Sequence, residues 1–225
     1  MIAILNYQAG NLKSLLNALS RHGVQAEVTS NPELLLSAEL VILPGVGAFA
    51  DAAGALETSG LGAVLNERHL SGKPILGICL GMQLFYEDSS EGVMTKGLGF
   101  MQGQIRKLAP NNAALKVPHM GWNLLEAYDF DSTLDKNSTD ANTLANQLCA
   151  SEVYFVHSYG LVGEDPSQVL FYTNHGQRIP ALVYQAASVL PTRGPLIGFQ
   201  FHPEKSGPLG EKMLITAIKN EVNLP

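Results

Sequence analysis

A cysteine flanked by two glycines is the strongest chemical signal in this sequence of 225 residues. The segment Gly77-Ile78-Cys79-Leu80-Gly81 follows an apolar stretch and leads into a helical pattern. Glycines on both sides of a nucleophile relieve the crowding of a sharp turn from strand to helix and leave the nucleophile at the sheet edge. The positive end of the helix also favours the thiolate, the attacking form of cysteine. The pattern predicts that Cys79 is a nucleophile rather than a buried structural thiol.

A base for this nucleophile is present in the segment Phe199-Gln200-Phe201-His202-Pro203-Glu204. His202 follows a predicted strand, so we expect it at a sheet edge too. Pro203 fixes its own φ and turns the chain, which allows Glu204 to bond the imidazole and set its tautomer. Cys79, His202 and Glu204 then form a triad in which His202 takes the thiol proton and later protonates a leaving amine.

Acyl transfer also requires donors for a developing oxyanion. The N–H of Leu80, immediately after the cysteine, is the expected first donor. The loop Pro44-Gly45-Val46-Gly47 follows a neighbouring predicted strand, so Val46 or Gly47 is expected to supply the second backbone N–H. The position of this loop, more than its glycine-rich pattern, supports the interpretation.

The remaining histidines and the metal-binding residue types give weaker signals. His22, His69 and His175 are expected in solvated or capping roles, whereas His119 and His157 lie in aromatic-rich segments and stay open as candidates. No close Cys/His/Asp cluster has the spacing of metal ligands, so we expect no metal. Neither Gly-x-Gly-x-x-Gly nor a Walker loop occurs, and no cofactor is predicted.

The composition excludes several classes of protein. The 14 Lys and Arg residues face 20 Asp and Glu residues, and the net charge of −6 without a basic block makes nucleic acid a poor partner. No apolar run approaches the roughly 20 residues that span a bilayer, so no membrane insertion is expected. Cys79 and Cys149 cannot form a disulfide framework, and no basic segment precedes the first apolar stretch. A reducing, cytoplasmic location is therefore expected.

Short apolar runs that alternate with helical patterns fill the first 86 residues, as in parallel βαβ units. After residue 97, shorter strand patterns separated by Gly, Pro and Asn are typical of antiparallel hairpins. The predicted fold is α/β, with a mostly parallel central sheet flanked by helices and additional antiparallel strands in the C-terminal half, in a single domain over residues 1–225. The predicted strands are 2–5, 26–29, 40–43, 75–78, 104–108, 122–125, 153–157, 169–172, 181–184 and 196–201. Helices are predicted after residue 12, over 48–70 with a break near 59–60, and over 211–222, and a polar loop is predicted over 128–147.

The cysteine motif over Gly77 to Gln83 and the histidine motif over Gln200 to Glu204, in this order, resemble those of the class I (triad) glutamine amidotransferases. Four further segments resemble the members of that family that serve histidine biosynthesis: 6–12, 44–47, 118–123 and 154–159. Together these motifs span nearly the whole chain. The polar stretch 128–147 and the loop 189–195 are longer than the family pattern, and Cys149 is expected to be an unreactive packing thiol.

The resemblance implies a substrate and its contacts. Glutamine would be attacked by Cys79 to give a γ-glutamyl thioester and ammonia, after which water would release glutamate. Gln83 and the backbone of Ser158 and Tyr159 would hold the α-amino acid end of glutamine, with Gly47 beside it.

The same resemblance implies that the chain is half of a heterodimer whose partner is a cyclase subunit with a (β/α)8 barrel. Asn11, His119, Met120 and Trp122 would face this partner, although Trp122 could equally be a sheet-packing residue. The glycines beside Val46 let its peptide rotate at low steric cost. We therefore expect its N–H to enter the oxyanion hole only when the partner is loaded.

Three other functions stay open at this point. The chain could supply ammonia to a different synthase, or it could be a γ-glutamyl hydrolase or peptidase of the same fold, active without a partner. It could also be a regulatory subunit that has lost catalysis, against which the intact Cys79, His202 and Glu204 argue.

Overall fold

The computed structural model describes residues 1–7, 12–127, 151–187 and 193–222. Asn11, Cys149, the predicted polar loop over 128–147 and most of the loop over 189–195 lie outside these ranges. The structure therefore says nothing about them.

Strands and helices alternate through the first third of the described chain. The strands of the described residues are β1 (Ile2–Leu5), β2 (Ala26–Thr29), β3 (Leu40–Leu43), β4 (Ile75–Ile78), β5 (Asp88–Ser89), β6 (Thr95–Lys96), β7 (Gln104–Lys107), β8 (His119–Leu124), β9 (Glu126–Ala127), β10 (Glu152–His157), β11 (Tyr159–Val162), β12 (Val169–Asn174), β13 (Arg178–Gln185) and β14 (Leu196–Phe199). The helices are α1 (Leu12–Arg21), α2 (Pro32–Ser37), α3 (Phe49–Thr58), α4 (Leu61–Leu70), α5 (Leu80–Gln83) and α6 (Gly207–Glu221). Two 3₁₀ turns cover Pro166–Gln168 and Pro203–Lys205.

Eight strands form the central sheet, in the order β2-β1-β3-β4-β14-β13-β12-β9. The five strands from β2 to β14 are parallel, and β13, β12 and β9 continue the sheet with antiparallel pairs. The predicted fold class is thereby confirmed. A pair, β10-β8, and a smaller sheet, β11-β7-β5-β6, complete the described strands.

The last core strand departs from the sequence-based prediction. The sequence pattern groups it with the antiparallel strands of the C-terminal half and extends it to residue 201, but β14 ends at Phe199 and pairs parallel with β4, so that Gly198 lies beside Gly77. All four residues of β14 are buried, because helices cover both faces of the sheet at this point. The strand that leads to His202 therefore runs beside the strand that leads to Cys79.

The two faces of the sheet bury separate apolar clusters. Along β1, Ala3 and Leu5 face α2, α3, α4 and α5, while Ile2 and Ile4 face α1 and α6. This is the two-residue alternation of a strand covered on both sides. The predicted break in the long helical segment is confirmed between α3 and α4, where Gly60 has a left-handed φ of 74°. Among the described residues, no helix is both long enough and apolar enough to cross a membrane.

Candidate active site

Cys79 lies at the turn between β4 and α5, in a conformation that L-residues rarely adopt. Its φ is 53° and its ψ is −109°, and it is the only non-glycine residue of the described chain with a positive φ. The Cys79 N–H donates to the carbonyl of Phe199, at 2.6 Å, which ties the turn to β14. Backbone strain of this kind persists only where the surrounding structure enforces it, and such residues cluster at functional sites.

The two flanking glycines are required by their neighbours rather than by their own backbone angles. A Cβ on Gly77 would lie 2.6 Å from the Met82 nitrogen, and a Cβ on Gly81 would lie 1.8 Å from the Leu43 carbonyl oxygen. Both distances are far inside van der Waals contact. The Gly-x-Cys-x-Gly pattern thus allows α5 to start directly against β3 and β4, which presents Cys79 at the carboxyl edge of the sheet.

His202 is held in one orientation by its neighbours. Its Nδ1 lies 2.9 Å from Glu204 Oε1, and both side chains are buried. The backbone N–H of His202 donates to Tyr154 O at 3.0 Å, and the Ser206 hydroxyl donates to the backbone carbonyl of His202 at 2.6 Å. Because Nδ1 is engaged by the carboxylate, Nε2 is the nitrogen available for Cys79; it is buried and has no hydrogen-bond partner among the described residues.

The charges around His202 favour its protonated form. Burial alone lowers the pKa of His202, but the adjacent Cys79 and the Glu204 carboxylate raise it by more, to about 9. The imidazolium is therefore stable beside Cys79 at neutral pH. A proton taken from the thiol can be stored on this ring and delivered to a leaving group.

A chain of amide groups joins Cys79 to the opposite wall of the site. Gln200 Nε2 lies 3.9 Å from Cys79 Sγ, and Gln200 Oε1 accepts from Gln83 Nε2 at 3.0 Å. The second hydrogen of Gln83 Nε2 is donated to the Tyr159 carbonyl, at 2.9 Å. The carbonyl of Val156 lies 4.0 Å from Cys79 Sγ. Sequence reasoning gave Gln200 no role, although its place two residues before His202 was a usable signal.

Three of the predicted glutamine contacts are placed near Cys79 by this arrangement. Gln83 and Tyr159 are bonded to each other, and Ser158 precedes Tyr159 with its own carbonyl bound to the Leu108 N–H. Both hydrogens of Gln83 Nε2 are engaged inside the protein, so this side chain holds the Tyr159 carbonyl and Gln200 together.

The glycine loop lies against the start of α5. A Cβ on Gly45 would be 2.8 Å from Leu80 Cβ and 2.9 Å from the Gly81 nitrogen, so only glycine fits there. Leu80 opens α5, where the first N–H groups of a helix have no acceptor within it. Val46 is exposed, and Gly47 has a φ of 104° with open space around its Cα. These positions are compatible with the predicted donors for an oxyanion.

Tyr7 is a neighbour of this loop that sequence reasoning missed. Its buried hydroxyl donates to the Pro44 carbonyl at 2.7 Å and fixes the first peptide of the loop. Burial, with a smaller contribution from Cys79, raises the pKa of Tyr7, which keeps the hydroxyl a donor. A small cleft opens beside the loop and is lined on its other side by His202 and Glu204.

The residues predicted to face a partner separate into two groups. Met120 and Trp122 are 62% and 54% exposed on β8, and this exposure excludes a core role for Trp122. His119, by contrast, is only 3% exposed. The expectation that the His119 ring faces a partner is corrected by the alternation of the strand, which turns this side chain inward. Within the described ranges, no group of three or more His, Cys, Asp or Glu side chains could hold a metal ion.

A strained cysteine at a strand-helix turn, a buried His-Glu pair and a glycine loop at the helix start define a thiol acyl-transfer site. The model of the family "Glutamine amidotransferase class-I" matches residues 3–220. The chain belongs to the class I glutamine amidotransferase family, and it is an enzyme with glutaminase activity.

Curated relatives narrow the comparison within this family. The chain is 44% identical to "Imidazole glycerol phosphate synthase subunit HisH" of Carboxydothermus hydrogenoformans, over 95% of this chain and 96% of the relative. It is 42% identical to the protein of the same name from Oceanobacillus iheyensis, with the same coverage. The Listeria innocua relative, also of that name, is 42% identical over 95% of this chain and 93% of its own.

Solved structures show the same fold at lower identity. A crystal structure of a glutamine amidotransferase has a TM-score of 0.70 at 17% identity, with 99% of both chains covered. A chain in the structure of PurLQS from Thermotoga maritima has a TM-score of 0.64 at 22% identity, with 97% of both chains covered.

Glutamine hydrolysis is expected to slow as the pH rises through about 9, because His202 then loses the proton that the leaving amine needs. In Glu204→Gln, the carboxylate that raises this pKa is gone, so the falling limb of kcat moves to lower pH. The measurement is kcat against pH over roughly pH 6 to 11, a range that covers the falling limb of the unsubstituted protein and of Glu204→Gln. Glu67→Gln, on the exposed side of α4, is the control and leaves the limb in place. An unmoved limb in Glu204→Gln contradicts the assigned cause.

Proposed function

We propose that this chain, the glutaminase subunit of an imidazole glycerol phosphate synthase, hydrolyses glutamine to glutamate and ammonia through a thioester on Cys79. The observation that supports this most directly is the buried bond of 2.9 Å between His202 and Glu204, beside a cysteine held in a strained turn. The geometry leaves Nε2 of His202 for the thiol, as the roles of a nucleophile, a base and an orienting carboxylate require.

The first half of the reaction forms the thioester. His202 Nε2 takes the proton of Cys79, and Sγ attacks the side-chain amide carbon of glutamine. The oxyanion that develops is stabilised by the N–H of Leu80 and by a second N–H from Val46 or Gly47. Protonated His202 then gives its proton to the amide nitrogen, the C–N bond breaks, and ammonia leaves.

Water completes the reaction on the same groups. His202, now neutral, takes a proton from water, whose oxygen attacks the thioester carbon. The carbon–sulfur bond breaks, glutamate leaves, and the proton on His202 returns to the sulfur. Gln83 with the backbone of Ser158, Tyr159 and Gly47 holds the α-amino acid end of the substrate during both halves.

The ammonia is used by a second subunit. The relatives are named as subunits of a synthase, and we assign the partner as a cyclase with a (β/α)8 barrel that forms a heterodimer with this chain. The exposed apolar face of β8, formed by Met120, Trp122 and Leu124, is a suitable contact surface for it. A cytoplasmic location fits a catalytic thiol that must stay reduced.

The alternatives are less well supported. Service to a different synthase is disfavoured by the shared name of relatives that cover 95% of the chain. A γ-glutamyl hydrolase or peptidase would act without a partner and would have no need of the exposed apolar face on β8. A subunit without catalysis would not require the strain held at Cys79.

The glycine loop gives the partner a means of control. Tyr7 fixes the Pro44 carbonyl, and Gly45 is wedged against α5, so rotation is restricted to the peptides around Val46 and Gly47. Rotation of the Val46 peptide would bring its N–H into the oxyanion hole or remove it. Hydrolysis of glutamine without an acceptor would then be suppressed.

Replacing Gly47 by Ala tests this loop without a steric clash, since a Cβ there meets nothing within 4 Å but disfavours the φ of 104°. We expect the partner-stimulated glutaminase rate to fall about 10-fold or more, because a displaced oxyanion donor stabilises the transition state less well. The matched control is Gly23→Ala, which has a φ of 72°, equally open space and a remote position. Equal effects of the two variants, measured by stimulated kcat, would rule out a special role for the loop.

The proposed function is tested by glutamate release from the purified chain, with and without a histidine-pathway cyclase and its nucleotide ligand. We expect a low basal rate that rises by about two orders of magnitude or more when both are added, because a complete oxyanion hole is worth that much. Cys79→Ala should abolish glutamate release. The variant chain should still bind the cyclase, and the complex should still form the product of the synthase from added ammonia. Full turnover by the chain alone, or loss of the complex in Cys79→Ala, would contradict the proposal.

A further inference from the structure

Two buried histidines form a hydrogen-bonded chain between the exposed strand β8 and the active site. Asn123 Nδ2 lies 3.1 Å from His119 Nε2, and His119 Nδ1 lies 3.0 Å from His157 Nε2. His157 Nδ1 lies 2.9 Å from the carbonyl oxygen of Tyr159. We call these three side chains, Asn123, His119 and His157, the histidine relay. The function proposed above assigns no role to His157.

The direction of every bond in the relay is fixed by its ends. The Tyr159 carbonyl only accepts, so His157 Nδ1 carries a hydrogen and, in a neutral ring, Nε2 accepts. His119 must then donate from Nδ1 and accept at Nε2, which requires a donor from Asn123. That donor is set independently, because Asn123 Nδ2 also donates to Asn174 O at 2.9 Å and its Oδ1 accepts from the Leu124 N–H at 2.8 Å.

Both rings are neutral in this arrangement. Burial lowers the pKa of His119 to about 3 and that of His157 to about 4. The ring of His119 is also stacked between Phe155 and His175, with centroid separations of 4.6 and 4.2 Å. Packing and hydrogen bonding thus hold the relay in one tautomeric state.

The relay ends on the same carbonyl that the glutamine site uses. Tyr159 O accepts from His157 and from Gln83, whose other hydrogen is bound to Gln200 beside Cys79. At its other end, Asn123 and His119 lie on β8, the strand that also carries the exposed side chains of Met120, Trp122 and Leu124. One strand therefore carries both the exposed apolar face and the inner supports of the site.

We propose that His119 and His157 are positioning residues for glutamine, which hold the Tyr159 carbonyl, and with it Gln83 and the Ser158–Tyr159 backbone, in the binding geometry. This inference rests on the proposed function for its substrate.

The first test reads the relay without any activity. Ring-nitrogen ¹⁵N NMR of the full chain at pH 7 should show His119 and His157 as neutral rings protonated at Nδ1. A proton on Nε2 of either ring, or a charged ring, would overturn the inference. Because this measurement does not involve glutamine, its result is separate from success or failure of the proposed function.

The second test uses glutamine hydrolysis by the full chain with its cyclase partner. His119→Phe keeps the aromatic stack but removes the donor to His157, and we expect the KM for glutamine to rise about 10-fold with a smaller change in kcat. His119→Asn places an amide N–H where Nδ1 was and should restore KM to within about threefold of the original value. His22→Phe, a histidine that contacts Glu211 and has no bond to the relay, is the control and leaves KM unchanged.

The pair of His119 variants distinguishes positioning from packing. Equal KM values for His119→Phe and His119→Asn, or an unchanged KM in His119→Phe, would overturn the proposal. If His119→Phe does not fold, His119→Leu, which also lacks the donor to His157, takes its place in the comparison with His119→Asn. If the unsubstituted complex does not hydrolyse glutamine, the proposed function fails, and the NMR result still shows whether the relay exists.

Discussion

The backbone at Cys79 is the constraint on which the rest of the site depends. Cys79 has a Cβ and nevertheless adopts a φ of 53°, because the turn between β4 and α5 is packed against β3 and β14. Gly77 and Gly81 permit these elements to approach, and the bond from the Cys79 N–H to Phe199 closes the turn. Without this close approach, neither His202 nor the glycine loop would be near the sulfur.

Burial acts in opposite directions on the histidines around this turn, because their partners differ. His202 is paired with a carboxylate and with the cysteine, and these charges outweigh the effect of burial, so its pKa is raised. His119 and His157 have neutral partners, so burial dominates and their pKa values are lowered. One ring is suited to hold and deliver a proton, and the other two are suited to hold geometry.

The sequence predicted the parts that depend on local pattern. The strands 2–5, 26–29, 40–43 and 75–78, the break near Gly60 and the strand-helix turn at Cys79 all have the predicted bounds. Gly77 and Gly81 were interpretable because a nucleophile at such a turn needs them. The Cys79, His202 and Glu204 assignment needed only the order of two short motifs.

The features that the sequence did not predict depend on pairing between distant segments. The parallel pairing of β14 with β4 belongs to the order of the strands in the sheet, which a run of apolar residues alone does not reveal. Gln200 and Tyr7 acquire roles only because folding places them beside Cys79 and Pro44. The inward position of His119 could have been predicted from the sequence. His119 and the exposed Met120 are adjacent on a strand, so their side chains lie on opposite faces.

The central claim, that Cys79 carries the acyl group, is tested most directly by trapping the intermediate. The complex with the cyclase and its nucleotide ligand would be mixed with glutamine and quenched in acid within one turnover. The digested peptides would then be analysed by mass spectrometry. The account predicts a glutamyl group on the peptide that contains Cys79 and an unmodified peptide around Cys149. A glutamyl group on Cys149, or turnover with no modified cysteine at any quench time, would contradict it.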